Sequence, residues 1–178
     1  MTDVEEAAED ARISQLYSMA DKLAPADFVA LVERLGADDA IVYGGMCTDK
    51  QMARAHFIVT ALLDTDDQSL AESIEQRKEL LKASVAAGGE RGESCMLAAI
   101  ESFTLNQEDP EKCSESTQTY DKVLQLLWEW DIVSEDGIRA WQGDERAARL
   151  LRVTTEGARA LRERGEVFFD WLEHGEEK

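Results

Sequence analysis

Apolar residues recur along this chain at the three- and four-residue spacing that places side chains on one face of a helix. The clearest example is the stretch 123–141, where Leu124 and Trp128 share one helical face. Ile138 and Trp141 share a face of a second helix in the same stretch. The pattern therefore predicts two amphipathic helices joined by a short turn.

A second stretch, 166–178, repeats this arrangement at the C-terminus. Phe168, Trp171 and Leu172 form its apolar stripe, and the helical spacing directs them inward. We call 123–141 box 1 and 166–178 box 2. Both boxes interleave the stripe with acids, namely Glu129, Asp131, Glu135 and Asp136 in box 1 and Glu173, Glu176 and Glu177 in box 2.

Capping residues and helix breakers divide the rest of the chain into further helices. Helices are predicted over 3–22, between Pro25 and Gly36, and over 144–152. The capping boxes Thr48/Gln51 and Ser69/Glu72 begin two more helices, the second of which continues through Val85. Ser94 and Ser134 are predicted to cap two others, and a final helix begins at about Thr155. The polar segment 106–119 is predicted to be a loop. No stretch predicts a good strand, so the fold class is all-α, with about eight helices in antiparallel pairs. Stacked helix pairs of this kind form an α-solenoid.

Length and charge restrict the partners that the chain can bind. Its 178 residues suit one domain, 1–178. With 38 acids against 19 bases the net charge is −19, which repels nucleic acid and anionic membrane and attracts cationic partners. We expect neither direct nucleic-acid binding nor membrane binding.

Cysteine spacing and the terminal sequence indicate a soluble, cytoplasmic protein. Cys47, Cys95 and Cys113 are odd in number and far apart, which argues against disulfides and a zinc site. The acidic N-terminus resembles no signal or transit peptide, and no apolar run is long enough to cross a membrane.

Catalytic chemistry finds no support in the sequence. His56 and His174 have no Ser, Cys or acid at a spacing that suggests a relay. The paired glycines lack the Lys and Ser or Thr of a phosphate loop. We therefore expect no enzymatic activity, no catalytic residue, no metal and no cofactor.

The aromatic residues of the boxes divide into two groups. Trp128, Trp141 and Trp171 are expected to pack in the core, together with Phe168 and Leu172, because each ring buries a large apolar area. Trp130 lies on another face from Trp128, so it is either a partner contact or a second packing surface. The acids form either a solvated face or a partner-binding cluster.

Taken together, the boxes resemble those that close the C-terminal HEAT-like domain shared by eukaryotic translation initiation factor 5 and the epsilon subunit of initiation factor 2B. The residues that follow the family pattern in box 1 are Val123, Leu124, Leu127, Trp128, Glu129, Asp131, Ile132, Val133, Glu135, Asp136, Ile138 and Trp141. Those in box 2 are Phe168, Trp171, Leu172, Glu173, Glu176 and Glu177. The departures are Trp128 in place of Tyr, Gly137 in place of a helix-favouring residue, and His174 and Gly175 within the acidic run. Upstream, 58–81 looks like the factor 5 relative, whereas 96–103 looks more like the epsilon relative.

The resemblance implies a HEAT-like α-solenoid that acts as an interaction module in translation initiation. Its acidic face would bind lysine-rich segments of the initiation factor 2 beta subunit, and neighbouring surfaces would contact initiation factor 1 and a subunit of initiation factor 3. On this reading the partner-binding residues are Glu129, Trp130, Asp131, Glu135, Asp136, Glu173, Glu176 and Glu177. The alternative, implied by the epsilon relative, is guanine-nucleotide exchange on initiation factor 2. A third possibility is a regulatory mimic that carries the same domain and competes for the same partner.

Overall fold

Eleven α-helices and no strand form the part of the chain that the computed structural model describes, residues 3–40, 42, 45 and 47–174. The all-α class is confirmed, and the arrangement is compatible with a HEAT-like α-solenoid. The sequence predicted about eight helices; one predicted helix is two in the structure, and one predicted loop contains a further helix. The helices are α1 Asp3–Met19, α2 Pro25–Arg34, α3 Lys50–Leu62, α4 Leu70–Gln76, α5 Lys78–Ala87, α6 Gly92–Leu105, α7 Pro110–Gln118, α8 Tyr120–Glu129, α9 Glu135–Gln142, α10 Glu145–Leu150 and α11 Thr155–His174.

Two central helices, α3 and α6, hold the molecule together. Nine of the 13 residues of α3 and ten of the 14 residues of α6 are buried, as expected for helices that are covered on nearly every side. They pack against each other, α3 also packs against α1, and α6 also packs against α5, α9, α10 and α11. One hydrophobic cluster extends from Leu16 in α1 to Phe169 in α11.

Helix starts follow the predicted capping chemistry at some positions and not at others. The capping box of Ser69 and Glu72 is present, with Glu72 N donating to Ser69 Oγ over 3.1 Å. The box predicted at Thr48 is wrong, because Asp49 is the N-cap of α3 and its Oδ1 accepts from Met52 N at 3.1 Å. Ser94 is not a cap either, since α6 begins at Gly92.

The helix predicted to run from Ser69 through Val85 is two helices. Arg77 leaves the helical region at φ −111° and ψ 10°, ending α4 and starting α5. Its guanidinium pairs with Asp21 beyond the end of α1, with Nη1 2.5 Å from Oδ1. The apolar spacing alone did not reveal this break, because it continues in step across Arg77.

The segment predicted to be a loop, 106–119, contains α7. Asp109 caps it, with Oδ1 accepting from Glu111 N at 2.9 Å, and Pro110 occupies the first turn, where a missing N–H costs nothing. In α7 only Ser116 is buried, so no apolar stripe signals it. Lys112 Nζ instead secures α7 by donating to the carbonyl oxygens of Thr65 and Asp66.

Gly165 does not interrupt α11. A Cβ at this position would lie 3.0 Å from Gln142 Nε2. That nitrogen donates to Arg162 O at 3.1 Å and to Glu166 Oε1 at 2.8 Å. Gly165 therefore allows the end of α9 to approach α11 closely.

His56 makes the stability of the fold depend on pH. Burial lowers the pKa of His56 from 6.5 to about 4. Between these values the unfolded chain binds a proton that the folded chain does not, so stability falls as the pH is lowered from 6.5 towards 4. The full contribution is roughly 3 kcal/mol, at about 1.4 kcal/mol per pKa unit.

We expect the His56→Gln variant to lose this part of the pH dependence. Urea unfolding of both proteins at several pH values from 7 to 4 gives the unfolding free energy as a function of pH. The difference between the two slopes measures the contribution of His56, because the carboxylates contribute equally to both. His174 is exposed at the end of α11, and His174→Gln is the control that should retain the slope. Equal slopes for His56→Gln and the parent protein would contradict the assignment.

Candidate functional site

Box 1 forms the end of α8, a tight turn and the start of α9. Trp130 N and Ile132 N donate to Leu126 O and Leu127 O, each at 2.9 Å, which closes the end of α8. Asp131 adopts a left-handed backbone conformation, φ 57°, which Asp tolerates better than most residues. Ile132 is buried while Asp131 is exposed, so the turn is anchored in the core and presents a carboxylate to solvent.

A shallow groove of about 450 Å³ lies beside this turn. It contains three of the predicted partner-binding acids, Asp131, Glu135 and Asp136, all of which are exposed. Its lining residues are Glu93, Trp128, Asp131, Val133, Ser134, Glu135 and Asp136. We call this the acidic groove. The structure thus brings together acids that the sequence only suggested were neighbours, and adds Glu93.

Aromatic side chains connect box 2 to the acidic groove. The Trp128 ring lies 5.9 Å from the Trp171 ring, at 82°, and 6.3 Å from the Phe168 ring, at 67°. Both are edge-to-face arrangements of the kind that stabilise aromatic pairs. Phe168 is buried, whereas Trp128, Trp171 and Leu172 are half-buried against the core. The groove wall formed by Trp128 is therefore supported from behind by α11.

The other predicted acids lie elsewhere or outside the described residues. Glu129 and Glu173 are exposed, but neither is among the residues that line the acidic groove. Glu176 and Glu177 are outside the described part of the chain.

Glu93 fastens the start of α9 to α6. Ser134 caps α9 as predicted, with Oγ accepting from Gly137 N at 3.2 Å. The Ser134 backbone N–H and hydroxyl both donate to Glu93 Oε1, the hydroxyl over 2.7 Å. A Cβ at position 137 would lie 2.8 Å from Glu93 Cβ and would collide with its carboxylate. Gly137, a departure from the family pattern, is explained by this close approach.

We expect Gly137→Ala to destabilise the protein by about 1–3 kcal/mol, because the added methyl group overpacks the Glu93 contact. At an ordinary helical position the same substitution stabilises by up to about 1 kcal/mol, so the sign of the change is diagnostic. Urea unfolding measures it. In a Glu93→Gly background both the Cβ and the carboxylate that cause the collision are absent, and Gly137→Ala should then be neutral or stabilising. An equal cost in both backgrounds would show that Glu93 is not the cause.

A buried ion pair, not predicted from the sequence, joins α6 to α11 and α9. Glu101 and Arg162 are 0% and 4% exposed, and Arg162 Nη1 donates to Glu101 Oε2. Trp141 Nε1 donates to Glu101 Oε1 at 3.3 Å, and the guanidinium carbon of Arg162 lies 4.8 Å from the Trp141 ring centroid. Arg162 Nη2 also donates to Asp144 O at 2.9 Å. Trp141, 1% exposed, is thus held from two sides.

Next to this ion pair lies a buried phenol. Tyr120 packs against Trp141 with ring centroids 5.9 Å apart. Burial, reinforced by the nearby Glu101 carboxylate, raises the pKa of Tyr120 well above its ordinary value. The phenol therefore stays protonated and contributes packing rather than charge.

Trp130 lies at the surface end of α8 and is half-buried against the core. The Lys78 ammonium at the start of α5 lies 5.2 Å from its ring centroid. This is a cation–π contact, so one face of the Trp130 ring meets a cation from the chain itself.

The C-terminal part of the chain matches a family model. Residues 93–178 match the model described as W2, eIF4-gamma/eIF5/eIF2-epsilon. This part of the chain is similar to the W2 family, which confirms the resemblance indicated by the two boxes. No curated protein and no solved structure matches the chain. The matched W2 part begins in the first turn of α6 and contains both boxes, and α1–α5 lie before it.

The family assigns the W2 part to translation initiation as a protein-interaction domain. No helix among the described residues is long and apolar enough to cross a membrane. Within the same residues, no group of three His, Cys, Asp or Glu side chains is placed to hold a metal ion.

Proposed function

We propose that the acidic groove of the W2 part binds lysine-rich segments of the initiation factor 2 beta subunit. The observation that carries the proposal is the juxtaposition of exposed Asp131, Glu135 and Asp136 around one groove with an indole wall. On this proposal the chain works in the cytoplasm as a scaffold without chemistry of its own. Initiation factor 1 and a subunit of initiation factor 3 are further proposed partners, at neighbouring surfaces.

The acidic groove can accommodate both parts of a lysine side chain, the aliphatic stem and the ammonium group. The aliphatic stem can lie against Trp128 while the ammonium remains beside the carboxylates and in contact with water. Glu93 also lines the groove, but its Oε1 already accepts from Ser134. Glu93 keeps its negative charge and adds to the potential of the groove, while the three exposed acids of the turn and α9 present their carboxylates to a partner.

The energetics favour a segment with several lysines over a single one. Exposed ion pairs contribute only about 0.2–1 kcal/mol each, so useful affinity requires several at once. The net charge of −19 accelerates the encounter with a cationic segment, and salt weakens both encounter and binding.

We expect charge reversal of the groove, Asp131→Lys/Glu135→Lys/Asp136→Lys, to weaken binding of a lysine-rich peptide by roughly 10- to 100-fold, from three lost pairs. Fluorescence anisotropy at low salt measures the affinity, and the parent protein should release the peptide at high salt. The matched control is Asp3→Lys/Glu6→Lys/Asp10→Lys, which changes the net charge equally on exposed positions of α1. Equal losses in the two variants, or binding that salt does not affect, would contradict the groove as the site.

Box 2 is tested by a separate variant, Glu173→Lys/Glu176→Lys/Glu177→Lys. A further loss of affinity would extend the binding surface from the acidic groove to the end of the chain. Unchanged affinity would confine it to box 1.

The alternative function is nucleotide exchange on initiation factor 2, because the family description also names eIF2-epsilon. A scaffold leaves the rate of GDP release from purified factor 2 unchanged. Acceleration by catalytic amounts of the chain would assign exchange activity instead.

A further inference from the structure

The contact between Lys78 and Trp130 joins a residue that precedes the matched W2 part to a residue within it. Lys78 is the first residue of α5, which precedes the matched W2 part, whereas Trp130 follows α8 inside box 1. The ammonium is 5.2 Å from the ring centroid, within the range of about 6 Å in which the π face attracts a cation. The first part of the chain thus places a lysine on an aromatic residue of the second.

Local electrostatics do not favour a lysine at this position of α5. The first turn of a helix carries the positive end of the helix dipole, which disfavours a cation. The π face of Trp130 offsets this effect, and the acids on either side of Trp130, Glu129 and Asp131, are exposed and add negative potential. The same features would attract any other lysine that reached the ring.

We propose that the Trp130 ring is a lysine-binding subsite of the W2 part, and that Lys78 occupies it in the free protein until a lysine of the partner displaces it. The inference rests on the proposed function, since it concerns the same lysine-rich ligand. It adds a second anchor beside the acidic groove. It also gives α5 a role in tuning affinity, because each binding event must first release Lys78.

The displacement has a bounded cost. A single cation–π contact is weak, so its prior occupancy by Lys78 lowers the apparent affinity of a competing lysine by about two- to fivefold. Lys78→Met keeps an unbranched side chain of similar length and removes the ammonium. We therefore expect this variant to bind a lysine-rich peptide about two- to fivefold more tightly than its control does.

The matched control is Lys82→Met. Lys82 lies one turn further along α5, is exposed, and its replacement changes the net charge by the same amount. Anisotropy titrations of both variants at the same low salt concentration remove the general electrostatic effect. A gain for Lys78→Met over Lys82→Met supports the subsite, and equal affinities overturn it.

Trp130→Phe closes the thermodynamic cycle. The smaller ring attracts a cation less strongly than indole does, so the gain from Lys78→Met should shrink in this background. A full gain with Phe at this position would overturn the role of the ring. Urea unfolding of each variant verifies that the fold is retained.

A spectroscopic readout follows the ring directly. The Trp130 indole N–H resonance should shift on adding the peptide to the parent protein and on introducing Lys78→Met, but not on introducing Lys82→Met. If the parent and Lys78→Met proteins both fail to bind the peptide, the proposed function and this inference fall together. If the peptide binds in a salt-sensitive way without affecting Trp130, only this inference falls.

Discussion

We expect the Arg162→Met variant to lose about 3–5 kcal/mol of unfolding free energy, because it leaves the Glu101 carboxylate buried without its cationic partner. Glu101 is 0% exposed, so water cannot replace the guanidinium. Chemical denaturation in urea, followed by circular dichroism, measures the loss.

The control for this effect lies two residues away on the same helix. Arg164 also pairs with an acid, with Nη2 2.5 Å from Asp121 Oδ1, but its side chain is 34% exposed. Arg164→Met should therefore cost less than about 1 kcal/mol. Replacing both charges, Glu101→Met/Arg162→Met, should recover much of the loss, since no charge then remains unpaired. Equal costs for Arg162→Met and Arg164→Met would contradict the importance of the buried pair.

The second large effect is expected at Trp141. Trp141→Ala should reduce the unfolding free energy by about 3–5 kcal/mol, because it removes a large ring from a well-packed core. The indole is 1% exposed, packs against Tyr120, and donates to Glu101. The same urea titration gives the value.

Two further variants serve as comparisons, one at Trp141 itself and one at a less buried indole. Trp141→Phe lacks the N–H that donates to Glu101 but retains part of the ring volume. Because of that retained volume, it should reduce the unfolding free energy less than Trp141→Ala does. Trp130→Ala removes an indole that is only half-buried, and it should cost less than Trp141→Ala for that reason. A Trp141→Ala variant as stable as Trp130→Ala would mean that this region is not the tightly packed centre that the structure describes.

Local patterns in the sequence were enough to predict the class of fold and the Ser134 cap. The amphipathic spacing predicted helices, and no strand occurs among the described residues. The spacing also predicted that Trp141 and Phe168 would point inward, and both are buried. These features depend on neighbours within about two helical turns, which is the range over which periodicity carries information.

Helices held by tertiary contacts were harder to predict. The α7 helix is mostly polar, and Lys112 attaches it to carbonyl oxygens 46 and 47 positions away. The Asp109–Pro110 pair was the available signal, since Asp is a favoured N-cap and Pro suits the first turn. The break at Arg77 gave no comparable signal.

The polar contacts around the candidate site were missed for a related reason. Glu101 and Arg162 are 61 positions apart, and no spacing rule connects them. The signal that could have drawn attention to Glu101 is its position beside an apolar run ending at Ile100, because a charge in such a place needs a partner. The contacts from Glu93 to Ser134 and from Lys78 to Trp130 likewise join distant segments.

The packing of α6 against helices from both parts of the chain limits where the chain can be cut into fragments. It is buried along most of its length and packs against α3 and α5 as well as against α9, α10 and α11. The family match begins at residue 93, in the first turn of α6, so α6 belongs to the matched part but packs against helices on both sides of that boundary. A fragment cut there would expose the apolar surface of α6 that α3 covers, so we expect a fragment that folds by itself to extend upstream of residue 93.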